Sequence, residues 1–418
     1  MSAIGAVVIG HWLLTSISYS GGALSGVDAL RYVSWGRWVT LLFQVMPVFF
    51  LVGGYVNAGS WPAHQAHGLG WAGWVQRRSM GLLWPATVYV ALATLIAASA
   101  ASAGVSAGEL AQAGWLVALQ LWFLPVYLLL IALTPLLLAA HQRWGLAVPA
   151  VMAAAAGAVD IGVVGFGLPV IGFANYLLVW GSMHQWGFSW RDGTLTRPRW
   201  RPWALAVAGS ALLAGLLAAG TFPVDMIGAG ERIGNTSPPS VALLAFAAAQ
   251  SGLLLAAEPA GTRLLTRPRW WRSVTRLNTL VMNTYLWHMI PVVVVAATCY
   301  TTGLMPQPAV GTPLWWALRP AWFALLIAVL VPLVLAVNWA ERPMRALPSG
   351  IGQAGAWSPV LLAAGLSAVM TALARLAIAG FAPAGRLPVV VILAYVAGLA
   401  LTLLAGRSPP AAAGGRAG

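Results

Sequence analysis

Residues 113–139 read AGWLVALQLWFLPVYLLLIALTPLLLA. No charged side chain interrupts the run, and its apolar residues follow one another without the alternation of a half-buried strand. A helix needs about 20 apolar residues to cross the hydrocarbon core of a bilayer. This stretch is long enough to do so, and in lipid only a helix or a closed barrel satisfies every backbone polar group. A leucine- and alanine-rich run of this length is a membrane helix.

Working outward, the same pattern recurs along the chain. Twelve spans are expected, at 2–19, 38–57, 79–100, 113–139, 146–164, 168–187, 202–221, 239–257, 277–299, 314–339, 357–379 and 387–405. Composition agrees: 60% of the 418 residues are hydrophobic and 7% charged, against roughly 25% charged in a soluble domain. The fold class is therefore all-α and polytopic.

The basic residues are all arginine, and the net charge is +14. They lie in the connections between apolar runs, where topology places them, so no nucleic-acid partner is expected. Arg77, Arg78, Arg143, Arg191, Arg197, Arg199, Arg201, Arg263, Arg267, Arg269, Arg272, Arg276, Arg342, Arg345, Arg407 and Arg416 fall on one side. Only Arg31, Arg37, Arg232, Arg319 and Arg386 fall on the other, with Arg375 inside a span. The crowded side is cytoplasmic by the positive-inside rule, so both termini are expected there. Asp28, Glu109, Asp225 and Glu231 fall outside. The basic connections RPRWRP (197–202) and RPRWWR (267–272) read as membrane-surface anchors, Trp among headgroups and Arg on lipid phosphate. A single cysteine, Cys299, excludes an internal disulfide, and no Cys/His spacing suggests a metal site.

Ionisable groups inside a membrane are costly, so each is a candidate functional residue. His11 lies roughly 15 Å along its helix at 1.5 Å per residue, near or beyond mid-membrane. His288 occupies a similar depth in NTYLWHMIP, Asp160 the outer half of the fifth span, and Glu341 the cytoplasmic end of the tenth. Each also has a structural reading: a hydrogen-bonded packing residue for the first three, an interfacial ion pair with Arg342 for Glu341. In the second span, adjacent Gly53 and Gly54 allow close approach of another helix or of a ligand. Trp122, Phe123 and Tyr127 precede the leucine run of the fourth and read as packing or interfacial side chains. Arg77 and Arg78 open the third span, serving topology or binding phosphates bidentately.

Taken in order, GHWLLT (10–15), VFFLVGGY (48–55), the arginine pair, LWFLPVYLL (121–129), NYLLVW with HQWGFSWRDG (175–193), NTYLWH (283–288) and AERP (340–343) resemble the acyltransferase-3 family. These are bacterial integral-membrane enzymes that transfer acyl groups, often acetyl, to extracytoplasmic acceptors. The resemblance covers roughly residues 1–348. It implies a ten-helix catalytic domain there, followed by two additional helices at 349–406 and a short disordered cytoplasmic tail at 407–418.

By the same resemblance, His11 matches the family's essential histidine and Glu341 its acidic residue before proline after the tenth span. Asp160 and His288, costly groups inside the membrane, are further candidate catalytic groups. Acyl-CoA, acetyl-CoA foremost, serves as donor substrate with no permanently bound cofactor. Arg77 and Arg78, Trp122 and Phe123, and the nearby Tyr127 are the expected donor contacts. The implied partners are membrane lipids, the acyl donor and a cell-envelope glycan or glycolipid acceptor, in the bacterial inner membrane. A transporter or flippase of a lipid-linked sugar is the alternative reading of twelve spans.

The chain departs from the family pattern in three places. An arginine belongs eleven residues before the histidine, one position ahead of Met1. The expectation is a native chain that continues upstream, with a shortened or inactive copy as the alternative. Pro47 stands in MPVFF where many members carry Asp, and Gly81 stands where a further arginine belongs.

Overall fold

The computed structural model describes residues 2–68, 70–228, 234–342 and 358–406, and the molecule is 78% helical. Among the described residues, eight helical stretches are long and apolar enough to span a membrane: 36–66, 71–102, 107–144, 147–165, 200–218, 241–265, 313–340 and 358–379. A ninth exists if two short helices bent by 43°, Val281–Trp287 and Ile290–Thr301, form one broken span. The remaining three apolar runs give shorter helices, so the described residues support eight or nine spans and do not confirm twelve.

The first of the three ends early for a local reason. Helix α1 (Ser2–Leu14) stops where hydroxyl and β-branched residues begin to alternate. Strand β1 (Thr15–Ser20) turns through Gly21 and Gly22 into β2 (Ala23–Asp28), pairing antiparallel from Thr15↔Asp28 to Ser20↔Ala23. Both turn glycines have positive φ, 60° and 82°, the backbone a two-residue hairpin turn demands. Residues 15–19, expected to continue the first span, are therefore strand.

The chain continues through α2 (Gly36–Phe43), α3 (Met46–Ala66), α4 (Trp71–Ser102), α5 (Ala107–Ala118), a 3-10 turn at Leu119–Trp122, α6 (Phe123–Trp144) and α7 (Ala147–Gly165). The expected sixth span is a 3-10 turn (Pro169–Ala174) leading into α8 (Asn175–Arg191). Then come α9 (Trp200–Ala218), α10 (Val241–Leu265), α11 (Pro268–Asn278), none of whose residues is buried, α12 (Val281–Trp287), α13 (Ile290–Thr301) and α14 (Pro313–Ala340). Last are α15 (Ser358–Ala379) and the 16-residue α16 (Val389–Leu404). These two pack on each other through Gly365 and Gly398, and on α4 through Thr87 Oγ1 and Tyr395 Oη, 2.8 Å apart. Residues 343–357 and the tail 407–418, with Glu231, Arg232, Arg345, Arg407 and Arg416, lie outside the described residues.

Helix α8 is unlike its neighbours. Every residue from Val179 to Ser189 is buried, although the segment carries Ser182, His184, Gln185 and Ser189. It crosses α3 at glycines: a Cβ on Gly54 would overlap the His184 carbonyl, and one on Gly187 would overlap the Leu51 carbonyl. Lipid tails are as apolar as leucine, so helix association in a bilayer rests on close packing and polar contacts. The glycine pair of the second span thus admits a helix backbone at Gly54. At Gly53 it admits the Tyr127 ring, whose Cε2 would lie 2.5 Å from an added Cβ.

Candidate functional site

The two histidines read from the sequence meet. His11 sits in the last turn of α1 and is half-buried, while His288 sits at the α12–α13 break and is fully buried. Their ring centroids are 5.1 Å apart with planes at 85°, an edge-to-face contact. The break has a sequence cause: Pro291, at the start of α13, has no N–H to return to the Trp287 carbonyl. Next to the break, the His288 carbonyl accepts a 2.8 Å hydrogen bond from the Trp12 indole, which packs at 6.1 Å on Phe323 of α14.

The hydrogen bonds define how His288 is held. Its Nδ1 lies 2.7 Å from the Tyr285 carbonyl, which can only accept, so Nδ1 carries a proton. The other ring nitrogen, Nε2, is buried without a partner. In the neutral ring it is a lone pair on the imidazole that touches His11. Among the described residues the His11 ring makes no hydrogen bond, which leaves it free to engage a third group.

A row of aromatic rings leads away from this pair. His288 is followed by Tyr285 at 6.2 Å, Phe123 at 5.7 Å and Tyr127 at 5.2 Å, the last two stacked. Phe50 joins from α3 at 5.3 Å from Phe123 and stacks at 4.5 Å on Trp180, which Trp122 meets at 5.3 Å. Gln120 pins the row: its Nε2 donates to the Tyr89 hydroxyl and the Leu286 carbonyl, both at 2.7 Å, and its backbone carbonyl accepts from Tyr285 Oη at 2.6 Å.

The far end of the row is polar. Arg78 interacts with the Tyr127 hydroxyl and donates from Nη2 to Asn57 Oδ1 at 2.7 Å. Because Arg is donor-only, the Asn57 oxygen must face it, and the amide nitrogen then donates to His184 Nε2 at 3.1 Å. Asn57 and His184 are fully buried. Sequence reasoning nominated neither, although a polar residue in an apolar span is the signal that would have found both.

The other expected residues fall in different places. Arg77, one position from Arg78 and so about 100° round the helix, is exposed. The two arginines therefore face different surroundings. Glu341 is buried at the end of α14, where its Oε2 accepts from Asn283 Nδ2 at 3.0 Å. Asn283 opens the NTYLWH segment, so Glu341 reaches the histidine pair through α12.

Asp160 is not brought to this cluster by any of its hydrogen bonds. Its two oxygens accept from Asn175 Nδ2 at 2.7 Å and from the Val241 backbone N–H at 2.6 Å. The second bond caps the first turn of α10 and meets the positive end of its dipole.

The site is a row of packed aromatic rings with an arginine at one end and an imidazole pair at the other. Such an arrangement can hold an anionic, flexible molecule at Arg78 and present its far end to a base. A family model described as Acyltransferase domain matches residues 2–339. Comparison with curated proteins and with solved structures returns no match.

Proposed function

The chain belongs to the acyltransferase family whose model spans residues 2–339, and we propose that it moves an acyl group, acetyl foremost, from cytoplasmic acyl-CoA to a hydroxyl of an extracytoplasmic glycan or glycolipid. The observation that carries this reading is the His11–His288 contact at one end of the aromatic row, with Arg78 at the other. The donor's phosphates lie towards Arg78, where a guanidinium makes charge-assisted hydrogen bonds. Its acyl-bearing arm runs beside Tyr127, Phe123 and Tyr285.

At the other end, His11 takes the proton of the acceptor hydroxyl as that oxygen attacks the thioester carbonyl. The new C–O bond forms, the C–S bond breaks, and the departing thiolate receives the proton that His11 accepted. In a two-step variant the His11 nitrogen attacks the thioester, the C–S bond breaks and the thiolate leaves with the imidazole proton. The hydroxyl then attacks the acyl-imidazole, its C–N bond breaks and the freed imidazole takes the hydroxyl proton. His288 orients the His11 ring in either route. Glu341 acts through Asn283 on the segment that carries His288, and Asp160 holds the α7–α10 junction. The arginine distribution supports both termini in the cytoplasm, and membership of the family supports a bacterial inner-membrane location.

The test is transfer of radiolabel from acetyl-CoA to cell-envelope glycan by protein reconstituted in vesicles, with His11→Ala as the comparison and equal insertion verified. Label on the glycan that disappears in the variant is expected. Transfer that survives the substitution removes His11 from the chemistry. Glycan that crosses the vesicle without gaining label favours the transporter reading.

A further inference from the structure

A second set of polar groups lies beyond His11, and neither route above uses it. A cavity of about 290 Å³ is bounded by the β1–β2 hairpin, the segment 305–310 and the first turns of α14. Its size matches the smallest small-molecule pockets, which start at about 300 Å³. One sugar ring fits that space. Ser16 and Ser18 of its wall follow His11 closely along the chain. The cavity lies on the face that the arginine distribution assigns to the outside.

Arg319 is its central feature. It is 8% exposed, with the guanidinium carbon 3.7 Å from the centre of the Trp315 ring and 5.9 Å from that of Trp322. Trp322 in turn stacks on Tyr300 at 5.5 Å. Among the described residues, Arg319 Nη1 has no hydrogen-bond partner, and neither do the indole N–H groups of Trp315 and Trp322. All three side chains line the cavity.

Asp28, the acidic side chain nearest in sequence to the wall residues Val27 and Tyr32, is engaged in capping the turn at Ala29–Arg31 through Leu30 N–H at 2.9 Å. A buried cation without a counter-ion is costly, and stacking on indole offsets only part of that cost. Three buried donors with no acceptor call for an oxyanion. Aromatic faces beside them suit the apolar side of a sugar ring.

We propose that this cavity binds the acceptor through a carboxylate or phosphate held by Arg319, so that the enzyme acts on a sugar-sized anionic unit rather than a neutral one. The proposal rests on the acyl-transfer reading for the word acceptor, but not for the binding itself. The same oxyanion chemistry could be supplied by an anionic lipid headgroup, and the test separates the two.

Protein in phosphatidylcholine nanodiscs is titrated with methyl glucuronide, glucose 1-phosphate and neutral methyl glucoside, with binding followed by saturation-transfer NMR. Either anionic probe is expected to bind about tenfold or more tightly than the neutral one, the scale of one charged hydrogen bond. Arg319→Gln should abolish that preference, and Arg319→Lys should restore only part of it. Ala309→Trp, on the exposed rim, should block the probes without touching the arginine, and so decides the matter if Arg319→Gln does not fold.

Equal binding of neutral and anionic sugars overturns the proposal, as does anion binding unchanged in both Arg319→Gln and Ala309→Trp. Loss of probe binding on moving to phosphatidylglycerol nanodiscs shows a lipid headgroup as the occupant and overturns the acceptor assignment. Because no acyl transfer is measured, failure here leaves the reading of His11 untouched, and the reverse also holds.

Discussion

Trp12 and His288 are joined across the molecule by a 2.8 Å hydrogen bond from the indole N–H to the histidine carbonyl, although 276 positions separate them in the chain. That bond ties the last turn of α1 to the break between α12 and α13. It thereby fixes His11, the neighbour of Trp12, against the His288 ring. Removing the donor leaves a buried carbonyl unsatisfied, at a cost of about 1–3 kcal/mol. Trp12→Phe should lower the unfolding midpoint accordingly and slow transfer more than it weakens donor binding. A variant as stable and as active as the parent would show that the bond positions nothing.

His288 itself is expected to contribute to rate rather than to binding. His288→Ala should lower kcat by about 10²–10⁴-fold, the usual range for a group assisting proton transfer, with little change in KM for the donor. His288→Asn supplies an amide that can still donate to the Tyr285 carbonyl, and so tests packing separately. If Asn restores stability without restoring rate, the free ring nitrogen is what matters. If both variants run at the parental rate, His288 is a packing residue.

The arginine pair should divide. Arg78→Gln breaks a charge-assisted bond to Asn57 and removes the positive end of the aromatic row, so KM for acyl-CoA should rise by about tenfold or more. Arg77→Gln, on the exposed face, should change KM little. Steady-state kinetics on both variants in vesicles decide this, and equal effects would mean that the donor binds the pair from outside the bundle.

Two glycines on adjacent helices offer a packing contrast. Gly54→Ala drives a methyl into the His184 carbonyl, which only movement of α3 from α8 relieves, and overpacking of this kind typically costs about 1–3 kcal/mol. A Cβ on Gly81 meets nothing within 4 Å, so Gly81→Ala should be neutral or stabilising by up to about 1 kcal/mol through helix propensity. Thermal midpoints in detergent read both. A neutral Gly54→Ala would contradict the close crossing described above.

Acid should weaken the contact that joins the ends of α6 and α8. Asp192, just past α8, lies 2.7 Å from His141 Nε2. Burial raises its carboxyl, but hydrogen bonds from Thr194 and His141 outweigh that and hold it below the usual carboxylate range. A carboxyl depressed in the folded state contributes stability fully above its unfolded value of about 3.9. That stability is lost as pH falls through the folded value. Asp192→Asn should therefore flatten the acid side of the thermal-midpoint profile and leave its neutral side lower. An unchanged slope on the acid side would show that the pair contributes nothing.

Much of this was legible in advance. The apolar runs located the membrane helices, because twenty consecutive residues without charge have one physical outcome in lipid. His11 and His288 stood out because an imidazole at that depth is expensive. Three features were missed for reasons that can be named. The hairpin at Thr15–Asp28 hid inside an apolar count, although alternation and the Gly21-Gly22 pair marked it. Asn57 escaped because an amide carries no charge, and His184 because it was read only as part of the HQWGFSWRDG motif. Arg319 was counted only as an outer-side cation, when it lies in α14, buried against two indoles.

The sequence by itself determined a helical membrane protein, its family motifs and the residues worth watching, since hydropathy and short motifs are properties of consecutive residues. Only the tertiary structure decided which of those residues meet. It separated Arg78 from Arg77, gave Asp160 to a helix cap, and brought His11 to His288 at a helix break. The physical reason is that such contacts depend on how close two backbones approach. Here that distance is set by the missing Cβ of Gly54 and by the missing N–H of Pro291, whose consequences appear only once another helix is beside them.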